Sequence, residues 1–427
     1  MQVMNELRKV LDGLTVHTIE TQKYKTNGIV LKMKAPLQEE NVTVRSLLPH
    51  VMESGTTTYP TAAKLRARLE ELYGAALSSE VSKKGEHHVI TFRMDIANEK
   101  FLSSNEALLE EGVKLLAEVL LHPLLESGQF QAKIVDQEKR SLKQRIQSIY
   151  DDKLRYANMR LVEEMCKHEP YRLNVHGNID EVDGITGEAL IAAYTRMLEQ
   201  DEIDLYFIGD LEEDEAVRLA QTYFKLPHAN KRSEKTSNVA QYIPEKEQEI
   251  IEDQDVKQGK LHIGYRTNVT FGDDDYYALQ LFNGLFGGFS HSKLFINVRE
   301  KASLAYYAAS RVESHKGLIF VMSGIEPKEY ENALTIIRKQ MTDMKEGNFT
   351  DDEIAQTKAV LRNQMLEMMD TSHGFIEMLY HNVVSGVDRA PQEWLTGIEN
   401  VTREDIIKVG KKIHFDTVYF LKGTEGA

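Results

Sequence analysis

Two stretches of this chain repeat one another. KLRARLEELYGAALSSEVSKKGEHHVITFRMDI runs from Lys64 to Ile96, and KLFINVREKASLAYYAASRVESHKGLIFVMSGI runs from Lys293 to Ile325. Lys293-Leu294 stands 229 residues after Lys64-Leu65 and Gly317 stands 232 after Gly85, so one register with a small insertion covers both. Each half also closes on a similar apolar run, LYFIGD at 205–210 and VYFLKG at 418–423. Solenoid repeats recur every ~20–50 residues. An offset near half of a 427-residue chain instead means one unit present twice, that is, two homologous α/β domains.

Within each copy the apolar spacing alternates between strand and helix periods. Leu14–Ile19 and Gly28–Met33 read as strands, and a helix is expected from about Val44. Thr61 caps a helix carrying Leu65, Leu69 and Leu72 on one face and closing on Gly74. Strand patterns return at Ala76–Ser82 and His87–Ile96. A long amphipathic helix follows Asn105 and stops near Pro123, and another runs from about Gln129 through Tyr150. The second half offers a strand at Lys260–Tyr265 and a helix at Tyr276–Phe286.

Helices that follow paired strands, with few tight βαβ alternations, predict an α+β arrangement: in each domain a mainly antiparallel sheet with helices on one face. The polar, charged stretch 228–245 reads as a linker between an N-terminal domain over 1–227 and a C-terminal domain over 246–427.

Composition excludes several function classes. A formal net charge of −15 repels polyanions, which disfavours nucleic acid and anionic membrane as partners. No segment offers the ~18 consecutive apolar residues of a membrane helix, and the N-terminus lacks an apolar core of signal-peptide length. A single cysteine, Cys166, in a chain this long fits a reducing compartment, so a cytoplasmic location is expected.

The chemically suggestive element is His50-Val-Met-Glu53-Ser54 on a predicted helix. Inverted zinc hydrolases use H-x-x-E-H there, because positions i and i+4 project two imidazoles from one face while the glutamate reaches the metal-bound water. Ser54 stands where the second imidazole would be.

At these residues the chain resembles the pitrilysin, insulin-degrading-enzyme and mitochondrial-processing-peptidase family. The resemblance extends over nearly the whole chain, through LLAEVLLHPLL, QEKRSLKQRIQSIYDD, YFIGD and FGGFSHSKLFINVREKASLAYYAAS. It implies that two such domains form half of a clamshell. Active relatives carry E-x6-E on the helix matching Glu138–Arg145, the final glutamate being the third zinc ligand; here Glu138 is kept and the ligand position is Arg145. A hydroxyl and a permanently protonated guanidinium thus replace two of three ligands, so no zinc is expected at His50, Glu53, Ser54 and Arg145. In the bland reading His50 and Glu53 simply bond to neighbours, with Arg145 the obvious partner for Glu53.

The resemblance also implies a substrate-holding block in the second half, F-x3-R-x6-Y, which Phe295, Arg299 and Tyr306 reproduce. Arg supplies a fixed charge for a carbonyl or developing oxyanion and Tyr a donor. The alternative is that Arg299 and Tyr306 satisfy only a helix end and a strand neighbour. Other candidates are weaker. The loop Gly287–Lys293 lacks a phosphate-loop frame, His87 and His88 point to opposite faces of one strand, and Met365, Met368 and Met369 read as core filler.

Taken together these features predict a catalytically silent metallopeptidase relative. It would act as the substrate-positioning subunit beside an active, zinc-bearing relative and bind an unfolded or extended peptide, or self-associate when alone. The rivals are an active homodimeric zinc peptidase with relocated ligands and a non-peptidase scaffold.

Overall fold

The computed structural model describes residues 4–103, 106–226 and 242–423. The expected linker 228–245 lies, as far as residue 241, outside the described residues. The chain forms two compact units: one holds the residues up to Ser148 and those from Leu173 to Leu226, the other Ile149–Arg172 and the residues from Tyr242 onward. Segment 149–172, which lies inside the stretch 1–227 in sequence, therefore packs with the second unit.

The first unit begins with β1 (Glu6–Leu11), β2 (Leu14–Glu20) and β3 (Thr26–Pro36), then α1 (Glu39–Met52) and α2 (Ala62–Glu71). A hairpin of β4 (Ala76–Lys84) and β5 (His87–Ala97) leads to α3 (Leu108–Leu121), the small ladder β6 (Leu125–Glu126) and β7 (Gln129–Phe130), and α4 (Ala132–Asp151). Helix α5 (Lys153–Met165) crosses to the second unit. Helix α6 (Gly187–Gln200), β8 (Glu202–Gly209) and α7 (Glu213–Tyr223) complete the first.

Its six-stranded sheet has the order β1-β2-β8-β3-β5-β4, antiparallel except for β2 with β8. One core lies between this sheet and the helices. Leu108, Leu109, Val113, Leu116, Val119 and Leu120 of α3 recur at helical spacing and are all buried against Ile29, Leu31, Phe92 and Leu205 of the strands. Each such side chain contributes roughly 1.5–3 kcal/mol on burial. The opposite face of the sheet carries a polar chain instead: His17 is clamped by Glu6 at 2.5 Å and by Asp204 at 2.8 Å and stacks on Tyr206.

The second unit repeats the plan with β9 (Gln248–Gln254), β10 (Gly259–Arg266), α8 (Tyr276–Asn283), β11 (Ala305–Glu313) and β12 (Leu318–Ile325). Helices α9 (Tyr330–Glu346), α10 (Asp351–Met369), α11 (Ser372–Ser385), α12 (Pro391–Asn400) and α13 (Arg403–Lys411) follow, then β13 (His414–Gly423). Its sheet order is β11-β12-β10-β13-β9, again with one parallel pair, β13 with β9. The duplication is visible at the hairpins: β4 turns into β5 at Gly85 (φ 54°) and β11 into β12 at Gly317 (φ 70°), left-handed positions that glycine adopts without strain.

Three departures from the sequence reading have local causes. Strand β1, ELRKVL, pairs with β2 at the sheet edge; four of its six side chains are exposed, so it shows no buried alternation. The helix expected at Tyr276–Phe286 keeps its α geometry to Asn283 and widens into a π-turn over Gly284–Gly288, and Phe295–Lys301, which parallels the first-half helix, is π-helical as well. In the latter, Asn297 donates both to the Lys293 carbonyl and to Gln340, drawing a side chain into the helix ladder. Finally, α5 covers the second face of the C-terminal sheet. Its Ala157, Leu161, Val162 and Met165 pack on Leu318, Phe320, Tyr419 and Leu421, which explains why β10 and β12 are buried on both faces.

Candidate functional site

In the first unit α1, α4, β4 and the loop before α6 bring together the residues of the degenerate zinc motif. Helix α1 delivers His50 in its last turn, Glu53 follows as its C-terminal cap, and Pro49 lies buried just before His50. Ser54 turns its hydroxyl back onto the helix end, donating to the His50 carbonyl at 3.0 Å. That hydroxyl is therefore committed to the backbone.

Ser79 of β4 reaches the same place. Its Oγ donates to Glu53 Oε2 at 2.7 Å and lies 3.5 Å from His50 Nδ1. The pairing of Glu53 with Arg145 expected from the sequence is thus corrected: the last turn of α1 faces β4, and Ser79 takes the contact. Glu53 Oε1 and the Nε and Nη2 of Arg145 are buried with no hydrogen-bond partner among the described residues. His176 joins the group, its Nδ1 3.4 Å from Ser46 Oγ. Its loop is held by Gly177 (φ 79°), where a Cβ would lie 2.2 Å from Thr43 Oγ1, so only glycine lets this loop approach α1 so closely.

Burial and mutual fields set the protonation of the site. Burial, reinforced by the nearby Arg145 and His176, pushes His50 down to about 4. Burial pushes Glu53 up to about 7, against the Ser79 hydrogen bond and with the Glu138 carboxylate adding to it. Glu138 is raised by burial although Arg145 pulls it down, and His176 is lowered by burial and by Arg145. The two imidazoles are therefore neutral near pH 7, and the permanent positive charge in the group is Arg145.

These residues do not fit a zinc ion. A tetrahedral site needs three protein donors and an open position, whereas here one ligand position is a hydroxyl bonded to backbone and another is a cation with no lone pair to give. Among the described residues no group of three or more His, Cys, Asp or Glu side chains is placed to hold a metal ion.

The block expected to hold substrate lies in the second unit. Phe295 and Arg299 are brought together, the guanidinium standing 4.4 Å over the Phe295 ring, which fixes a charge at an exposed position. Tyr306 is the second residue of the edge strand β11 and is 82% exposed, within the irregular pairing between Ala305 and Ala308. Sequence reasoning missed Ser79 and His176. Neither carries a motif; the one local signal is the glycine after His176, which marks a turn but not what it approaches.

Comparison with known proteins decides the family. The family described as "Peptidase M16 inactive domain" matches residues 184–361. "Probable inactive metalloprotease YmfF" of Bacillus subtilis is 54% identical over 427 residues, covering all of both chains. The chain belongs to the M16 peptidase family. The solved structure of a conserved protein from Enterococcus faecalis is 35% identical, covers 99% of this chain and all of its own, and superposes with a TM-score of 0.91. The M16 inactive domain of Pseudomonas fluorescens, 17% identical with 99% of each chain covered and a TM-score of 0.82, shares the fold. Two pseudo-symmetric α/β domains, each with a mixed sheet and flanking helices, are thus the M16 domain pair, and this member lacks the family's metal-binding cluster among its described residues. No helix among the described residues is long and apolar enough to cross a membrane.

Proposed function

We propose that this M16 chain is the non-catalytic, substrate-positioning subunit of a peptide-processing protease, working in the cytoplasm beside a relative that carries zinc and the general base. The observation that carries the reading is the contrast between its two candidate sites. The metal position holds a serine and an arginine, whereas the Phe295–Arg299–Tyr306 spacing is intact and Arg299 and Tyr306 stand exposed. Arg299 would meet a peptide carbonyl and Tyr306 would donate to it, stabilising charge that develops as the partner's water attacks. Strands β4 and β11 are sheet edges to which an extended peptide would add as a further strand.

The test is co-purification followed by peptide cleavage assays. A relative with an unbroken H-x-x-E-H is expected to co-purify, and its cleavage of a quenched peptide is expected to fall at least ~10-fold when Arg299→Ala or Tyr306→Phe replaces the native chain. Equal cleavage with and without this chain refutes the proposal. Chelator-sensitive cleavage by the chain alone would favour a homodimeric peptidase; a stable complex indifferent to Arg299→Ala would favour a scaffold.

A further inference from the structure

We infer that the degenerate zinc position of the first unit is a carboxylate-binding site, in which Arg145 takes both oxygens of one carboxylate through its Nε and Nη2. These two nitrogens form one edge of the guanidinium, and their spacing matches that of two carboxylate oxygens. The chain itself uses that edge this way: Arg93 holds Asp95 with Nε at 2.7 Å and Nη2 at 3.1 Å. On Arg145 the same two N–H groups are buried and have no acceptor among the described residues. Leaving buried charged donors unpaired is costly, and an oxygen pair placed on them recovers that cost.

The carboxylates of the chain do not occupy the edge. Glu53 is held by Ser79, and Glu138, although within the field of Arg145, hydrogen-bonds Gln137 instead. His50 and His176 belong to the same group, with their Nδ1 atoms on the hydroxyls of Ser79 and Ser46 at 3.5 and 3.4 Å. The inference does not rest on the subunit reading, because it concerns the chain alone. A carboxylate can come from the C-terminus of a peptide or from a free small acid, and the experiment separates these.

The full chain is titrated, by protein-observed NMR, with an N-acetylated tripeptide bearing a free C-terminal carboxylate, with its C-terminal amide, and with acetate. The free acid is expected to bind at least ~10-fold more tightly than the amide to the native chain, a comparison that needs no variant. Arg145→Gln is expected to abolish the difference, and Arg145→Lys, which keeps the charge but not the fork, to restore only part of it. Acetate binding as tightly as the peptide acid, with the same dependence on Arg145, assigns the site to free acids; weaker acetate binding assigns it to peptide C-termini. Equal binding of acid and amide, a full acid preference in Arg145→Gln, or no binding by the native chain overturns the inference.

Discussion

Ser79 donates a 2.7 Å hydrogen bond to Glu53, and this contact, rather than an ion pair with Arg145, holds the surviving glutamate of the zinc motif. One hydroxyl does not offset the burial of a carboxylate, and Glu53 titrates at about 7. A carboxyl whose folded value is raised is protonated in both states below its unfolded value, and stability is lost as pH rises from there through the folded value. The shift corresponds to about 3 kcal/mol as an upper figure. Glu53→Gln, which keeps an acceptor for Ser79, is therefore expected to stabilise the protein by about 1–3 kcal/mol at pH 8 and to leave it unchanged at pH 4. Urea unfolding at the two pH values checks this; equal effects at both would contradict it.

His262 of β10 behaves in the opposite sense. It is fully buried, neither ring nitrogen has a partner among the described residues, and burial aided by Arg311 and Lys260 lowers it to about 3. The unfolded chain takes up a proton near 6.5 that the folded chain refuses, so this residue contributes an acid destabilisation that grows as pH falls from 6.5 toward 3. His262→Leu is expected to add about 1–3 kcal/mol at neutral pH, by removing two unpaired polar atoms, and more at pH 5. A variant melting no higher than the native protein at either pH would refute this account.

Arg266 locks segment 149–172 onto the second unit. Its Nη2 reaches Glu169 at 2.6 Å and the Met165 carbonyl at 2.8 Å, its Nε reaches Asp416 at 2.7 Å, and Lys316 adds a 2.6 Å contact to Glu169. Removing the guanidinium leaves the buried Asp416 with only the Thr417 hydroxyl and Glu169 with only Lys316 as counter-charge, at a cost of about 3–5 kcal/mol. Arg266→Met is thus expected to lower the unfolding midpoint and to open 149–172 to limited proteolysis before the rest of the unit. Proteolysis that begins elsewhere would argue against a lock at this position.

If the lost ligands are what prevents zinc binding, restoring them should restore it. The double substitution Ser54→His with Arg145→Glu rebuilds H-x-x-E-H and E-x6-E on α1 and α4. About one zinc per chain is expected by metal analysis of the double variant, with a zinc-dependent rise in Tm, and no such rise in the native chain. A double variant that stays folded and takes up no zinc would place the obstacle outside these two positions.

The duplication was readable because it is written in register. Gly85 and Gly317 mark the same hairpin in both halves, and the apolar periods around them distinguish strand from helix. The degenerate motif was equally readable, since the spacing from His50 shows Ser54 where a second imidazole would stand, while the arginine at 145 was read from the resemblance to active relatives. Strand β1 escaped because its side chains are mostly exposed, and the π-turns because they arise from side chains such as Asn297 entering the helix ladder.

The sequence by itself determined the two-fold plan, through one register repeated 229 residues later, and the serine in place of the second imidazole, through short helical spacing; the family and the arginine at the third ligand position were legible as a resemblance along the whole chain. Only the tertiary structure decided that α5 covers the C-terminal sheet, that Ser79 rather than Arg145 holds Glu53, and that His176 joins them. Those contacts join residues far apart in the chain, and which distant groups meet is set by how buried faces pack, a property no local pattern records.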